Sequence, residues 1–306
     1  MILLWGVAQD SPLAEVRQAL ADLKEPTVFV NQRAVLETGI ELRVDASVEG
    51  VMHLRGQEID LAQVTAVYLR PYNSDQLPII RNACTDSPER NHAFAVDDAL
   101  LCWAELTPAL VVNRPSAMTS NNSKPYQLFL IRSLGFDVPD TLVTTEPQAV
   151  REFWSQHGTV IYKSISGVRS IVSRLTSRDM TRLDRVTWCP TQFQQYIPGL
   201  DYRVHVVGDK VFACEIVSDA DDYRYAGQQT RAVELRAYEV PAEIADRCRA
   251  LVASLGLQVA GVDLRCRPDG RWFCFEVNPS PAFYFYQAAT GQPISEAIAR
   301  LLAGAP

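Results

Sequence analysis

The sequence predicts a mixed α/β (α+β) protein of more than one domain, on three observations. Roughly the first 112 residues alternate short apolar runs with stretches of helical periodicity. Residues 201–216 and 256–281 each read as a β-hairpin, DYRVHVV–GD–KVFACEI and GLQVAGVDLRCRPDGRWFCFEVNPSP, with alternating side chains around a tight turn. A chain of 306 residues with 47% hydrophobic and 21% charged content has room for two or three packed cores.

Taken in order, ILLWGV is a strand, and Ser11-Pro12 offers an N-cap and a first-turn proline. Leu13, Val16, Leu20 and Leu23 follow at helical spacing, and TVFVN is a second strand. Residues 39–61 alternate and contain Gly50 and Gly56, as short antiparallel strands would. TAVYLRP and ALVVN are further strands, separated by a helix around ERNHAFAVDDALLCWAEL. This segment, 1–112, is an α/β layer with no G-x-G-x-x-G after its first strand, so it is not read as a dinucleotide domain. Arg70 and Tyr72 stand at a strand's C-terminal end, where open α/β sheets present ligand contacts; a solvated surface pair is the competing reading.

Past Asn113-Arg114-Pro115 the pattern changes. SNNSKPYQLFLIRSLGF is a loop and then a helix stopped by Gly135. DTLVTT and GTVIYKSIS are strands around a helix from Pro147 to about His157, all within a middle segment, 113–190. TQFQQYI opens the last segment, 191–306, and Pro198-Gly199 turns into the first hairpin. There, period two puts Asp201, Arg203 and His205 on one face. The aperiodic DADDYRYAGQQTRA, with Arg224, reads as a loop. Pro241 opens a helix with the stripe Ile244, Cys248, Leu251, Val252 and Leu255, closed by Gly256; PISEAIARLLAG is a final packing helix.

A net charge of −7 argues against a broad nucleic-acid or anionic-membrane surface. Seven cysteines without a C-x-x-C and four scattered histidines argue against a zinc site or a disulfide framework and favour a cytoplasmic setting. No signal peptide or membrane span is apparent, and no Walker A pattern is present.

The chemistry concentrates in the second hairpin. With a two-residue Asp269–Gly270 loop, Asp263 faces Glu276, and Asn278 lies one step along the same face. Two carboxylates and an amide oxygen suit a hard divalent cation such as Mg²⁺. A three-residue loop with a bulge would instead put Asp263 and Glu276 on opposite faces. The competing reading is a wet hairpin face, against which stands the apolar run around Glu276. Lys124 opens a helix, where the dipole disfavours a cation unless an anion is near. Lys163 ends a strand and is followed by Ser164, Ser166 and Gly167, as a phosphate-covering loop requires.

The motifs N-S-K-P-Y-Q-L, V-I-Y-K-S-I-S-G, Q-Q-Y-I-P-G-L-D-Y-R-V and V-D-L…E-V-N-P-S-P resemble the ATP-grasp carboxylate ligases over roughly residues 109–306. Among these the chain looks most like the branch of the ribosomal-protein glutamate ligase and the graspetide (microviridin-type) macrocyclases. The resemblance implies an N-terminal pre-ATP-grasp domain and a nucleotide held between two α+β subdomains. It implies that Lys124 and Lys163 contact the phosphates, that Gln194, Gln195, Tyr196 and Ile197 meet the adenine edge, and that Asp201 holds the ribose. Arg203 and Arg224, with Lys163, would face the γ-phosphate and the acyl-phosphate, and Asp263, Glu276 and Asn278 would bind Mg²⁺, or Mn²⁺ in its place. Arg70, Tyr72 and Arg169 are the candidate substrate contacts. Two departures stand out: glutamines where the adenine strand usually carries a Glu, and an Asp263-to-Glu276 span longer than in the ribosomal-protein ligase.

The implied reaction activates a carboxylate as an acyl-phosphate and joins it to an amine or hydroxyl. A peptide precursor crosslinked through its side chains is the first expected substrate, prompted in part by the aromatic run AFYFYQ at 282–287. A ligase of free amino acids or a small dipeptide is the second reading. A kinase or nucleotide-binding regulator on the same fold, from a different class, is the third. The loops near 164–170 and 218–231 are candidate lids, and a homo-oligomer is compatible with all three.

Overall fold

The computed structural model describes residues 1–165, 172–218 and 233–304. The N-terminal region contains β1 (Ile2–Gly6), α1 (Ser11–Asp22), β2 (Thr27–Asn31), β3 (Thr38–Val44), β4 (Val48–Leu54), β5 (Gln57–Asp60), β6 (Ala66–Arg70), α2 (Pro88–Leu106) and β7 (Leu110–Val112). The unbroken apolar run at β1 reflects a parallel sheet, ordered β2-β1-β6-β7, that is covered on both faces. Leu3, Trp5, Val67 and Leu69 pack toward α2, with Val96, Leu100 and Trp103. Ile2, Leu4, Ala66 and Tyr68 point the other way, toward Leu13, Val16 and Leu20 of α1. The strands β3-β4-β5 form a separate antiparallel sheet. The cap of α1 is Asp10, whose carboxylate accepts from the Leu13 N–H at 2.8 Å, and Ser11 is already helical.

The middle of the chain holds α3 (Pro115–Met118), α4 (Lys124–Ser133), β8 (Thr141–Thr144), α5 (Pro147–His157), β9 (Val160–Ser164), β10 (Ser173–Arg174), α6 (Ser177–Met180) and β11 (Thr191–Gln195). The sheet order is β10-β9-β11-β8, and its core of Val150, Val160, Leu183 and Phe193 lies on the α5 side. Two elements cross the boundaries read from sequence. Strand β11, assigned by sequence to the segment from 191 onward, hydrogen-bonds to β8 and β9. Helix α4, assigned to 113–190, buries Leu128 and Ile131 in the core of the last segment.

That segment comprises β12 (Leu200–Val207), β13 (Lys210–Ser218), β14 (Val233–Tyr238), α7 (Ala242–Ser254), β15 (Val259–Cys266), β16 (Trp272–Asn278), α8 (Tyr284–Thr290) and α9 (Ile294–Ala303). Its sheet order is β14-β13-β12-β15-β16. One face, with Tyr202, Val204, Val206, Val262, Leu264, Cys274 and Val277, packs against Ile244, Cys248 and Leu251 of α7 and against α4. Helix α9 reaches back so that Ile294, Ile298 and Leu302 share a core with α1, β1 and β6. Among the described residues no helix is long and apolar enough to cross a membrane.

Candidate active site

The loop of the β15–β16 hairpin decides whether the acids meet. Arg267 N–H donates to the Arg271 carbonyl at 2.9 Å, Gly270 N–H donates to the Arg267 carbonyl at 2.9 Å, and Gly270 has φ 83°. This is the three-residue loop with a left-handed glycine, not the two-residue loop expected. Left uncompensated, it would send Asp263 and Glu276 to opposite faces. A β-bulge restores the pairing: the register runs Leu264↔Cys274 and then Asp263↔Glu276, so Phe275 is the extra residue. Val262↔Val277 and Gly261↔Asn278 follow.

The sheet face away from α7 carries Asp201, Arg203 and His205 from β12, with Arg265, Asp263 and Gly261 opposite them on β15. Glu276 and Asn278 come next on β16. Arg203 Nη1 lies 2.6 Å from Asp263 Oδ1, and Asn278 Nδ2 donates to Asp263 Oδ2 at 3.1 Å. Room for the guanidinium comes from Gly261, since a Cβ there would overlap it. Tyr286 of α8 covers this corner, its ring centroid 5.8 Å from Arg203 Cζ and 5.0 Å from the His205 ring. Burial, and then the charge of Arg203, hold His205 well below the usual imidazole pKa.

Oxygen donors from Asp263, Glu276 and Asn278 on adjacent strands are a set that fits Mg²⁺, which favours a few carboxylates plus substrate oxygens over a complete protein cage. Among the described residues no three His, Cys, Asp or Glu side chains are grouped as metal ligands, and the set here is two carboxylates and an amide. Arg203 beside Asp263 puts a positive group next to that trio, as a joint site for a cation and a phosphate needs.

Lys163 faces Gln192 across β9 and β11, on the side of the central sheet away from α5. Lys124 is the first residue of α4 and is buried. The amide of Gln127 docks that helix on β16, donating to the Val277 carbonyl at 2.7 Å and accepting from its N–H at 2.9 Å. Gln194 is buried on β11, and the backbone N–H groups of Gln195 and Tyr196 donate to Asp140 and Thr159 carbonyls. Asp201, expected at the ribose, has both carboxylate oxygens on Arg265, at 2.6 and 2.8 Å. Arg265 also donates to the Ile197 carbonyl at 2.8 Å and lies over the Tyr196 and Phe275 rings. Sequence reading missed Arg265; its signal was its place two residues after Asp263, on the same strand face.

Arg70 ends β6, and Tyr72 lies two residues beyond it. Arg70 Nε and Nη2 donate to Asp10 at 2.6 and 3.1 Å, and Nη1 donates to Ser280 Oγ and the Pro281 carbonyl. It thereby straps the N-terminal sheet to the turn that follows Asn278. The Tyr72 side chain is exposed, and its backbone N–H and C=O pair with the buried Gln32. The aromatic run divides: Phe283 is core, Tyr286 covers the site, and Tyr284 and Phe285 are exposed. Arg169, Arg224, Ser166, Gly167 and nearly all of the loop at 218–231 lie outside the described residues.

No family profile matches the chain. Its structure superposes on macrocyclase MdnC of Microcystis aeruginosa MRC, bound with precursor peptide MdnA, at a TM-score of 0.82 and 22% identity, covering 99% of both chains. A Chryseobacterium gregarium RiPP-associated ATP-grasp ligase, solved with ADP and a leader and core peptide, gives 0.84 and 22% over 100% of this chain and 97% of the other. This chain has the ATP-grasp fold. The ATP-grasp ligase PsnB, complexed with minimal precursor, Mg and ADP, matches at 0.80 with 28% identity, over 99% of this chain and 96% of that one. Among curated proteins, the glutathione synthetase of Neisseria meningitidis serogroup B is 30% identical over 199 residues, 59% of each chain. That of Thermosynechococcus vestitus is 23% identical over 216 residues. The chain spans 65% and 59% of the length of these two synthetases, less than two thirds.

Proposed function

We propose that this protein is an ATP- and Mg²⁺-dependent ligase that crosslinks side chains of a ribosomally made precursor peptide, joining Asp or Glu carboxyl groups to hydroxyls or amines. The observation that carries the reading is the Arg203–Asp263–Asn278 contact set with Glu276 alongside, in a chain that matches peptide-modifying ATP-grasp ligases from end to end. The glutathione synthetase matches favour a second reading, ligation of a free amino acid or dipeptide, but they extend over only part of either chain.

A carboxylate attacking a γ-phosphate brings two anions together, and positive groups must hold them in line. Asp263, Glu276 and Asn278 would hold Mg²⁺, with Mn²⁺ able to replace it, and the ion supplies charge to the phosphate oxygens. Arg203, fixed by Asp263 and the space at Gly261, binds the transferring phosphoryl group, while Lys124 and Lys163 bind the remaining phosphates. Gln194 to Ile197 lie along the base, and Arg265 orients the Asp201 carboxylate for the ribose. The second substrate then attacks the acyl-phosphate with water kept away.

The test is incubation with ATP, Mg²⁺ and short peptides encoded next to this gene. Phosphate release that needs the peptide, with loss of one water per crosslink, is the expected result. A phosphorylated peptide, or equal turnover with free amino acids, would refute it. Glu276→Gln should abolish Mg²⁺-dependent turnover in a folded protein, and wild-type rates in that variant would remove the metal assignment.

A further inference from the structure

Gln192 is fully buried, at 0% exposure, and neither its amide nitrogen nor its amide oxygen has a hydrogen-bond partner. Buried polar side chains are nearly always bonded, so such an amide calls for a missing partner. Its position says which kind. Gln192 stands directly across from Lys163, and Gln194 lies two residues along on the same face, opposite Ile161. The intervening Phe193 and its neighbour Tyr162 point into the core below α5, so the two glutamines and Lys163 share the other side.

Gln194 reinforces the point. Thr141 Oγ1 donates to the Pro139 carbonyl at 2.9 Å and therefore accepts from Gln194 Nε2 at 3.0 Å. That assigns Nε2 to the Thr141 side of the Gln194 amide, and Oε1 is left buried without a partner. The face thus offers, beside Lys163, one amide with a free donor and a free acceptor, then one with a free acceptor.

We propose that Gln192 is a base-specificity residue, its amide reading the N7 and 6-amino edge of an adenine that lies between Lys163 and Gln194. This rests on the nucleotide reading above. The NH₂ group of Gln192 donates to N7, and its carbonyl accepts one hydrogen of the 6-amino group. The second amino hydrogen is free for Gln194 Oε1. Guanine presents two acceptors on that edge and leaves both glutamine carbonyls unmet.

The experiment titrates the full chain, with Mg²⁺, against ATP, GTP and 7-deaza-ATP, for the wild type, Gln192→Leu and Gln192→Met. Wild type should bind ATP in preference to GTP. Gln192→Leu should weaken ATP binding about tenfold and weaken 7-deaza-ATP binding far less, with no loss of thermal stability in the free protein. Unchanged ATP affinity in a folded variant, or equal losses for ATP and 7-deaza-ATP, would overturn the proposal. So would unfolding of both variants, which would make Gln192 a structural residue. A wild-type protein that binds no nucleotide would bring down the ligase reading itself, and that result is read before any variant is made.

Discussion

A methyl group on Gly261 would overlap the guanidinium of Arg203, and this makes a backbone position part of the site. Gly261→Ala leaves β15 in the sheet and turns the guanidinium off Asp263. Turnover should fall about a hundredfold, as expected for misplacement on the ångström scale, with little change in circular dichroism or nucleotide affinity. His205 offers a second residue-scale test. Its imidazole is held neutral by burial and by Arg203, so the unfolded chain binds its proton more readily than the native one. The folded pKa is lowered, so the associated stability is complete above the ordinary histidine value near 6.5. It is lost as the pH falls toward the folded value. Unfolding free energy measured by denaturant should therefore decline below that pH, and His205→Phe, which keeps a ring against Tyr286, should flatten the decline.

Among the elements, α4 and β16 are joined as if the helix supplied one rung of a ladder. Gln127 satisfies both the N–H and the C=O of Val277, one residue from Glu276 and one from Asn278. Gln127→Leu strands two buried backbone groups and should cost roughly 2–4 kcal/mol of stability. It also releases the helix start that carries Lys124, so the KM for ATP should rise more than kcat falls in steady-state assays. The β15–β16 hairpin shows how far local pattern can be read. Alternation and the Pro-Asp-Gly turn were enough to bring Asp263, Glu276 and Asn278 to one face, but by way of an assumed two-residue loop. The real loop and the Phe275 bulge offset one another, and no single-strand pattern distinguishes that from the simpler hairpin.

At the scale of the whole molecule, Asn113, the residue after β7, ties the end of the N-terminal sheet to the last segment. Its amide donates to the Val259 and Pro279 carbonyls and accepts from the Gln258 and Val259 N–H groups, bonding on both sides. Asn113→Ala should lower stability by about 2–5 kcal/mol, and chemical denaturation followed by tryptophan fluorescence would measure it. The core that α9 shares with α1, β1 and β6 works in the same direction. Together with the Arg70 strap to Ser280 and Pro281, it places the exit of β16 against the N-terminal sheet.

Element types, the hairpins, the acidic pair with its asparagine, and the face shared by Asp201, Arg203 and His205 were legible in the chain alone, because period two and turn chemistry are local. Tertiary structure decided what depends on contacts distant in sequence. It placed Arg265 on Asp201, exchanged β11 and α4 between neighbouring cores, bound Arg70 to Asp10, and left the Gln192 amide unpartnered beside Lys163. Side-chain partners 60 residues or more apart, as Arg70 is from Asp10, are chosen by packing, and packing leaves no period in the sequence.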